Sequence, residues 1–318
     1  LVARSGLPDG PEPGRLPSLL SPLPLRKDYY MKIDFTKMQG CGNDYVYIDL
    51  VGSRYMIKDN SDLARRISDR HFGVGSDGLI FIKPSENADF EMEMYNADGS
   101  RAEMCGNGIR CVAKYVYDHD YISSERFNIE SMGNVKHITV FPKEGYADKI
   151  CVDMGAPVLR SDRIPVISEH IQVIGRDLTV DGKNWKVTCV SMGNPHAVVF
   201  SGIEGSYDFD LSSLDIEHTG PLFEHHEAFP ARINTEFVHV TDRGHIELRV
   251  GERGAGETLA CGTGCCAALT ASVLGGFTDR EAQVTIPGGV LDVKWDETDG
   301  HIYMTGPAAY AFTGTYEY

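Results

Sequence analysis

From Met31 onward the chain reads as short strands separated by Gly/Asn/Asp turns, interrupted by three runs at helical period. KIDFTKM (Lys32 to Met38) alternates, GCGND turns, and YVYIDLV (Tyr45 to Val51) is a β-branched and aromatic strand. In NSDLARRISDRHFG, Leu63 and Ile67 share a face at i, i+4, which predicts a short helix with Ser61 as its N-cap. After the GVGSDG turn, LIFIK and FEMEMY read as strands, and NADGS turns again. GNGIRCVAKYVYDH places Ile109, Val112, Ala113 and Val116 on one helical face. FNIES and VKHITVF follow as strands. KICVDMG (Lys149 to Gly155) is expected to open a second pass, in which WKVTCVSMG, HAVVF, TEFVHV and HIELRVG are strands. GTGCCAALTASVLGG then reads as a helix stopped by Gly275 and Gly276. QVTIPGG, VLDVKW and HIYMTG complete the pass. The pattern predicts two β-rich halves, each wrapping one principal helix.

Each principal helix opens on Cys-Gly-x-Gly: MCGNGIRC from Met104 and ACGTGCC from Ala260. The leading cysteines, Cys105 and Cys261, lie 156 positions apart (261 − 105). A helix start leaves N–H groups without partners and carries partial positive charge. Glycines let a ligand approach that backbone closely, so such a turn suits a carboxylate. A cysteine placed there has its thiolate stabilised. Two such turns from opposite halves could grip one carboxylate and present a thiol to each face of the adjacent carbon. That geometry suits racemisation or epimerisation: one sulfur removes a proton and the other returns one from the opposite side. General acid–base help of this kind is worth roughly 10²- to 10⁴-fold per group. Helix N–H groups around an enolate-like carboxylate would supply more.

Composition narrows the partner. The 318 residues carry a net charge of −16, with 42% hydrophobic and 24% charged positions. No basic stripe marks a nucleic-acid binder, and no apolar run reaches the roughly 20 residues of a membrane helix. A small-molecule partner is expected. The eight cysteines are Cys41, Cys105, Cys111, Cys151, Cys189, Cys261, Cys265 and Cys266. A disulfide framework suits short secreted chains, so reduced thiols in the cytoplasm are the expectation, with all but Cys105 and Cys261 packed in the core. No metal is expected: Cys261, Cys265 and Cys266 lack paired C-x-x-C spacing, and His218, His225, His226 and Glu227 lack helical H-x-x-x-H spacing and read as a surface loop. GVGSDG lacks the Lys-Ser/Thr of a phosphate loop. Residues 1–30 hold six prolines and no periodicity, and are expected to be a disordered or non-native extension ahead of Met31.

Six segments carry a resemblance: MQGCGNDYVYID, HFGVGSDGLI, MYNADGSRAEMCGNGIRC, GNPHAVVF, GPLFEHHEAFPARINTEFV and RVGERGAGETLACGTGCCAA. In this order, from Met31 to the C-terminus, they resemble the diaminopimelate epimerase family. The resemblance implies an α+β fold of two similar β-rich domains, each a barrel-like sheet around a central helix. The expected division is 31–148, with 307–318 returning as its last strand, and 149–306. It implies a homodimer and a cofactor-independent interconversion of LL- and meso-2,6-diaminopimelate on the route to lysine and peptidoglycan. Carried over by position, Cys105 and Cys261 would be the two-base pair. Gly106, Asn107, Gly262 and Thr263 would offer N–H groups to the carboxylate at the reacting centre. Asn43, Asn96, Asn194 and Asn234 would contact substrate. Glu252 would face the α-amino group, Arg253 the distal carboxylate, and His196 would lie near the thiols. The chain departs at Gly78, where some members carry glutamine, and at Tyr45, where phenylalanine is common. Two rivals are a two-thiol racemase of the proline racemase kind and a non-enzymatic thiol or metal-binding protein.

Overall fold

The computed structural model describes residues 31–53, 55–102 and 105–318. The expectation for residues 1–30 falls outside them. The first half of the chain runs β1 (Lys32–Gly40), β2 (Asn43–Asp49), α1 (Asn60–Ser68), β3 (Gly78–Lys83), β4 (Phe90–Asn96), β5 (Arg101–Ala102), α2 (Gly106–Asp118), β6 (Arg126–Ser131), β7 (Asn134–Lys143) and β8 (Tyr146–Gly155). After β9 (Arg176–Val180) the same order returns: β10 (Lys183–Ser191), β11 (Pro195–Phe200), α3 (Ile216–Glu224), β12 (Asn234–Asp242), β13 (His245–Glu252), β14 (Gly256–Thr258), α4 (Gly262–Leu274), β15 (Glu281–Ile286), β16 (Gly289–Trp295) and β17 (Ile302–Gly306). β18 (Ala309–Glu317) ends the chain and pairs with β1.

The pairings repeat as well. β1 and β2 form a hairpin, β2 runs parallel to β3, β3 is antiparallel to β4, and β4 is parallel to β6. β10 and β11, β11 and β12, β12 and β13, and β13 and β15 show the same alternation. Parallel neighbours need a crossover, and α1, α2, α3 and α4 supply the four. β8 pairs with β7 on one side and with β17 on the other. KICVDMG therefore does not open the second pass. It is the seam strand of the first, and its counterpart is β17.

The sequence reasons for the helices are local. α1 is capped by Asp59, whose carboxylate accepts from the Asp62 N–H at 2.9 Å, so the expected cap at Ser61 lies inside the helix. Ser61 instead donates to the Gly99 carbonyl. α2 buries Ile109, Val112, Ala113 and Val116 completely. Each such apolar side chain contributes at most about 1.5–3 kcal/mol, and Val112→Asp would place an unpaired charge there. α4 is buried nearly all round, with Cys265, Cys266, Ala267, Ala268 and Leu269 at 0% exposure. It stops as predicted: Gly276 takes a φ of +75°, Gly276 N–H reaches the Val273 carbonyl, and Phe277 N–H reaches that of Ser272. The His218–His226 stretch is not a plain loop, because α3 carries His218 and holds Pro221 inside it, followed by His225 as its C-cap. The apolar faces of α2 and α4 share one core, while a separate aromatic cluster surrounds Trp185.

Candidate active site

The strand repeat brings the starts of α2 and α4 together. A Cβ built on Gly106 would lie 3.9 Å from the Gly262 Cα, and both glycines rest on Met304 of the seam. A Cβ at Gly106 would press on the Met304 side chain at 3.0 Å, and one at Gly262 would do so at 3.1 Å. Asn107 of α2 ties the helix tips: its Nδ2 donates to the Ala260 carbonyl at 3.2 Å, across the repeat boundary.

Cys105 and Cys261 are the N-cap residues of these two helices, and both line one cavity of about 330 Å³. Gly106, Asn107, Gly262 and Thr263 line it from the helix starts. Asn43 comes from β2, Asn96 from the end of β4, Asn234 from the start of β12, Glu252 from the end of β13, and Asn194 and Arg253 from adjoining turns. Of the residues expected in the site, only His196 stays off the cavity surface. It is fully buried behind it, its Nε2 2.9 Å from Asn194 Oδ1 and its Nδ1 2.7 Å from Glu236 Oε1.

The asparagines are held in place by the protein as well as facing the cavity. Asn43 donates to Asp77 Oδ2 at 2.8 Å, Asn96 to Ser100 Oγ at 3.0 Å, and Asn234 to the Pro195 carbonyl at 2.8 Å. Asn234 also accepts from the Arg253 N–H, fixing the turn that presents the Arg253 side chain at the exposed rim. Amides fixed this way offer a donor and an acceptor in known directions without net charge. A second cavity of about 600 Å³ shares Asn43, Tyr45, Asn96 and Glu252 with the first and extends towards Arg70 and Asp77.

The two thiols stand in different surroundings. Burial pushes the Cys105 thiol up; the N–H groups of Gly108 and Asn107, the Tyr45 hydroxyl and the Arg110 guanidinium draw it back. The Gly108 N–H lies 3.2 Å from the Cys105 sulfur. Burial raises Cys261 well above the ordinary thiol value, and the carboxylates of Glu252 and Glu236 add to it. Thr263 Oγ1, 3.4 Å from the Cys261 sulfur, and the Gly264 N–H act in the opposite direction. Burial also raises the Glu252 carboxyl, against hydrogen bonds from Thr258 and Cys261.

Two polar residues of this site were not among those expected from the sequence. Tyr45 lines the cavity and Glu236 lies buried behind it, its Oε2 without a hydrogen-bond partner. The strand registers of the folded chain relate both to the repeat. The parallel pair Tyr45↔Gly78 repeats as His196↔Asn234, and two positions further on Ile80 repeats as Glu236. Among the described residues no group of three or more His, Cys, Asp or Glu side chains could hold a metal ion, and no helix is long and apolar enough to cross a membrane.

A family profile described as diaminopimelate epimerase matches residues 35–160 and 188–311. The chain is 50% identical over 280 residues to a diaminopimelate epimerase of Acetivibrio thermocellus, covering 88% of this chain and 97% of that one. It is 49% identical over 288 residues to one of Desulfovibrio desulfuricans, covering 89% and 97%. Among solved structures, a hydroxyproline epimerase from Agrobacterium vitis with bound trans-4-hydroxy-L-proline superposes with a TM-score of 0.62 at 12% identity, covering 90% and 92%. A phenazine biosynthesis protein of the PhzF family from Bacillus anthracis does so with a TM-score of 0.62 at 16% identity, covering 91% and 100%. At those identities the structures report the fold alone.

Proposed function

The chain belongs to the diaminopimelate epimerase family, and from that premise we propose that it interconverts LL- and meso-2,6-diaminopimelate by a cofactor-independent two-base mechanism. The observation that carries this reading is the pair of N-cap cysteines, from two facing helices, on one small cavity. One sulfur, as thiolate, takes the α-proton, and the electron pair left behind delocalises into the carboxylate. The helix-start N–H groups of Gly106, Asn107, Gly262 and Thr263 stabilise that charge. The other sulfur, as thiol, delivers its proton to the opposite face. The roles exchange in the reverse direction, and the pair titrates as a unit.

Glu252, inside the cavity, receives the α-ammonium. Arg253, on the rim, holds the distal carboxylate bidentately. The four asparagines read the remaining polar groups, so an amino acid lacking the distal end leaves them unpaired and is rejected. His196 orders Asn194 from behind. We further place the protein in the cytoplasm, where the thiols stay reduced, on the route to lysine. We propose that it acts as a homodimer and that its domain boundary falls after the seam strand β8 and not at 149, with 307–318 joining the first domain. The relatives' names favour diaminopimelate over proline as substrate.

The test is turnover of LL-diaminopimelate in D₂O. Meso product with deuterium at one α-carbon is expected, and either Cys105→Ala or Cys261→Ala should lower the rate by at least about 10³-fold. Full activity in either variant, or racemisation of proline in place of diaminopimelate, would overturn the reading.

A further inference from the structure

The strand repeat makes the two halves comparable position by position, and the comparison shows where they differ. Under the start of α2 lies Ile80: a Cβ on Gly108 would meet its Cδ1 at 2.8 Å. Under the start of α4, at the same register, lies Glu236: a Cβ on Gly264 would meet its Oε1 at 2.8 Å. Tyr45, opposite Gly78, corresponds in the same way to His196, opposite Asn234. Met94↔Ala102 and Val250↔Thr258 each end three residues before a leading cysteine, and on that register Ala97 corresponds to Arg253. The second half thus carries a buried carboxylate, an imidazole and a rim guanidinium where the first carries isoleucine, tyrosine and alanine. In the reading above, the two helix starts share the carboxylate at the reacting centre. The distal end of the molecule must go to one half, and only the second is equipped for it.

We propose that Glu236 is a positioning residue for substrate recognition: through His196 it holds the Asn194 amide with its NH2 towards the cavity, where that group meets the distal carboxylate. The inference rests on the reading of the cavity as a diaminopimelate site. Glu236 and His196 are both fully buried. Glu236 Oε1 lies 2.7 Å from His196 Nδ1, and its Oε2 has no hydrogen-bond partner. Among the described residues no lysine or arginine pairs with Glu236, and His196 is its one charged partner. A carboxylate only accepts hydrogen bonds, and burying it without a cation is costly. The His196 Nε2 lies 2.9 Å from Asn194 Oδ1, a second acceptor, so the ring donates from both nitrogens.

That second bond decides what Asn194 shows to the substrate. Its oxygen is held inwards by the ring, and it lines the cavity. The polar atom left for the cavity is Nδ2, which has no partner among the described residues. An amide NH2 suits a carboxylate and opposes an ammonium. Without charge on residue 236 the ring needs a proton on Nδ1 alone. The amide then turns over, donates to the bare Nε2 and presents its oxygen to the cavity, where it repels a carboxylate. Glu236 acts at a distance from the ligand, by fixing the direction of one amide.

The experiment compares Glu236→Gln, which keeps the shape and removes the charge, with the unaltered full chain. Titration calorimetry measures the binding of diaminopimelate and of lysine, which is diaminopimelate without the distal carboxylate. Glu236→Gln should weaken diaminopimelate by about tenfold or more and change lysine by less than about twofold. In an Asn194→Ala background the same substitution should weaken diaminopimelate by less than about twofold, because the amide it acts through is gone. Nitrogen NMR of the histidine-labelled protein should show two protonated nitrogens on the His196 ring, and one in Glu236→Gln; this readout needs no ligand. Unchanged affinity for diaminopimelate, equal weakening of both ligands, a full tenfold loss in the Asn194→Ala background, or a bare ring nitrogen in the unaltered protein would each overturn the proposal. Any of these can arise while Cys105→Ala and Cys261→Ala are both inactive, so the two-thiol reading is tested separately.

Discussion

At Gly78 no side chain fits. A Cβ there would sit 2.1 Å from the Tyr95 carbonyl oxygen, a backbone atom that cannot swing aside, and 2.9 Å from the Tyr45 ring. Gly78→Ala is expected to destabilise the fold by about 3 kcal/mol or more, read as a shift in the urea midpoint, and to lower activity by displacing Tyr45. An unshifted midpoint would show that β3 relaxes freely. The reason lies in register, which pairs Gly78 with Tyr45 across parallel strands. A sequence read without that pairing sees Gly78 as a missing side chain and Tyr45 as a conservative change from phenylalanine. The cysteines were legible because helix-start chemistry is local. Glu236 was not, since nothing in NTEFV says that its carboxylate will be buried under a helix start and bonded to His196 across two strands.

Elements divide in the same way. The C-terminus of α4 was legible because a glycine stop needs only its own turn. Gly276→Ala meets nothing within 4 Å, so its cost is conformational alone, about 1 kcal/mol from the left-handed φ. Denaturation should show that loss without a change in kcat, and a larger loss would mean the helix end packs more tightly than described. α3 was hidden because Gly220 and Pro221 interrupt its pattern. The seam strand β8 was misplaced because its partner β17 lies about 150 residues away in the chain. At that seam His301 meets Asp153 at 2.9 Å, and this hydrogen bond raises the imidazole pKa. A raised pKa stabilises the fold fully below the unfolded value near 6.5, and the gain fades as pH climbs through the higher folded value. With the His301 side chain 39% exposed, solvent limits it to less than about 1 kcal/mol. His301→Gln should therefore cost stability at pH 5.5 and almost nothing at pH 8.5. A cost that grows with pH would contradict the assignment.

For the molecule as a whole, two expectations follow from the way its halves meet. Air oxidation should join Cys105 to Cys261 and stop turnover, with two fewer titratable thiols, and a dithiol should restore both. Oxidation without loss of activity would mean that the two sulfurs do not approach each other. The return of the chain end is the other expectation. β18 covers β1 from Lys32↔Glu317 to Gln39↔Ala309. Deleting residues 309–318 should bare a long edge and give aggregated protein on size-exclusion chromatography. A soluble, active truncated chain would show the strand to be dispensable.

The doubled order of strands and crossovers has a historical consequence. An ancestor half this length, assembling about a two-fold axis at the seam, would have carried one cysteine per subunit and two identical sulfurs in its cleft. Such an assembly has no way to tell its left hand from its right. Fusion into one polypeptide freed each copy to mutate alone, and the two sulfurs now stand in unlike surroundings.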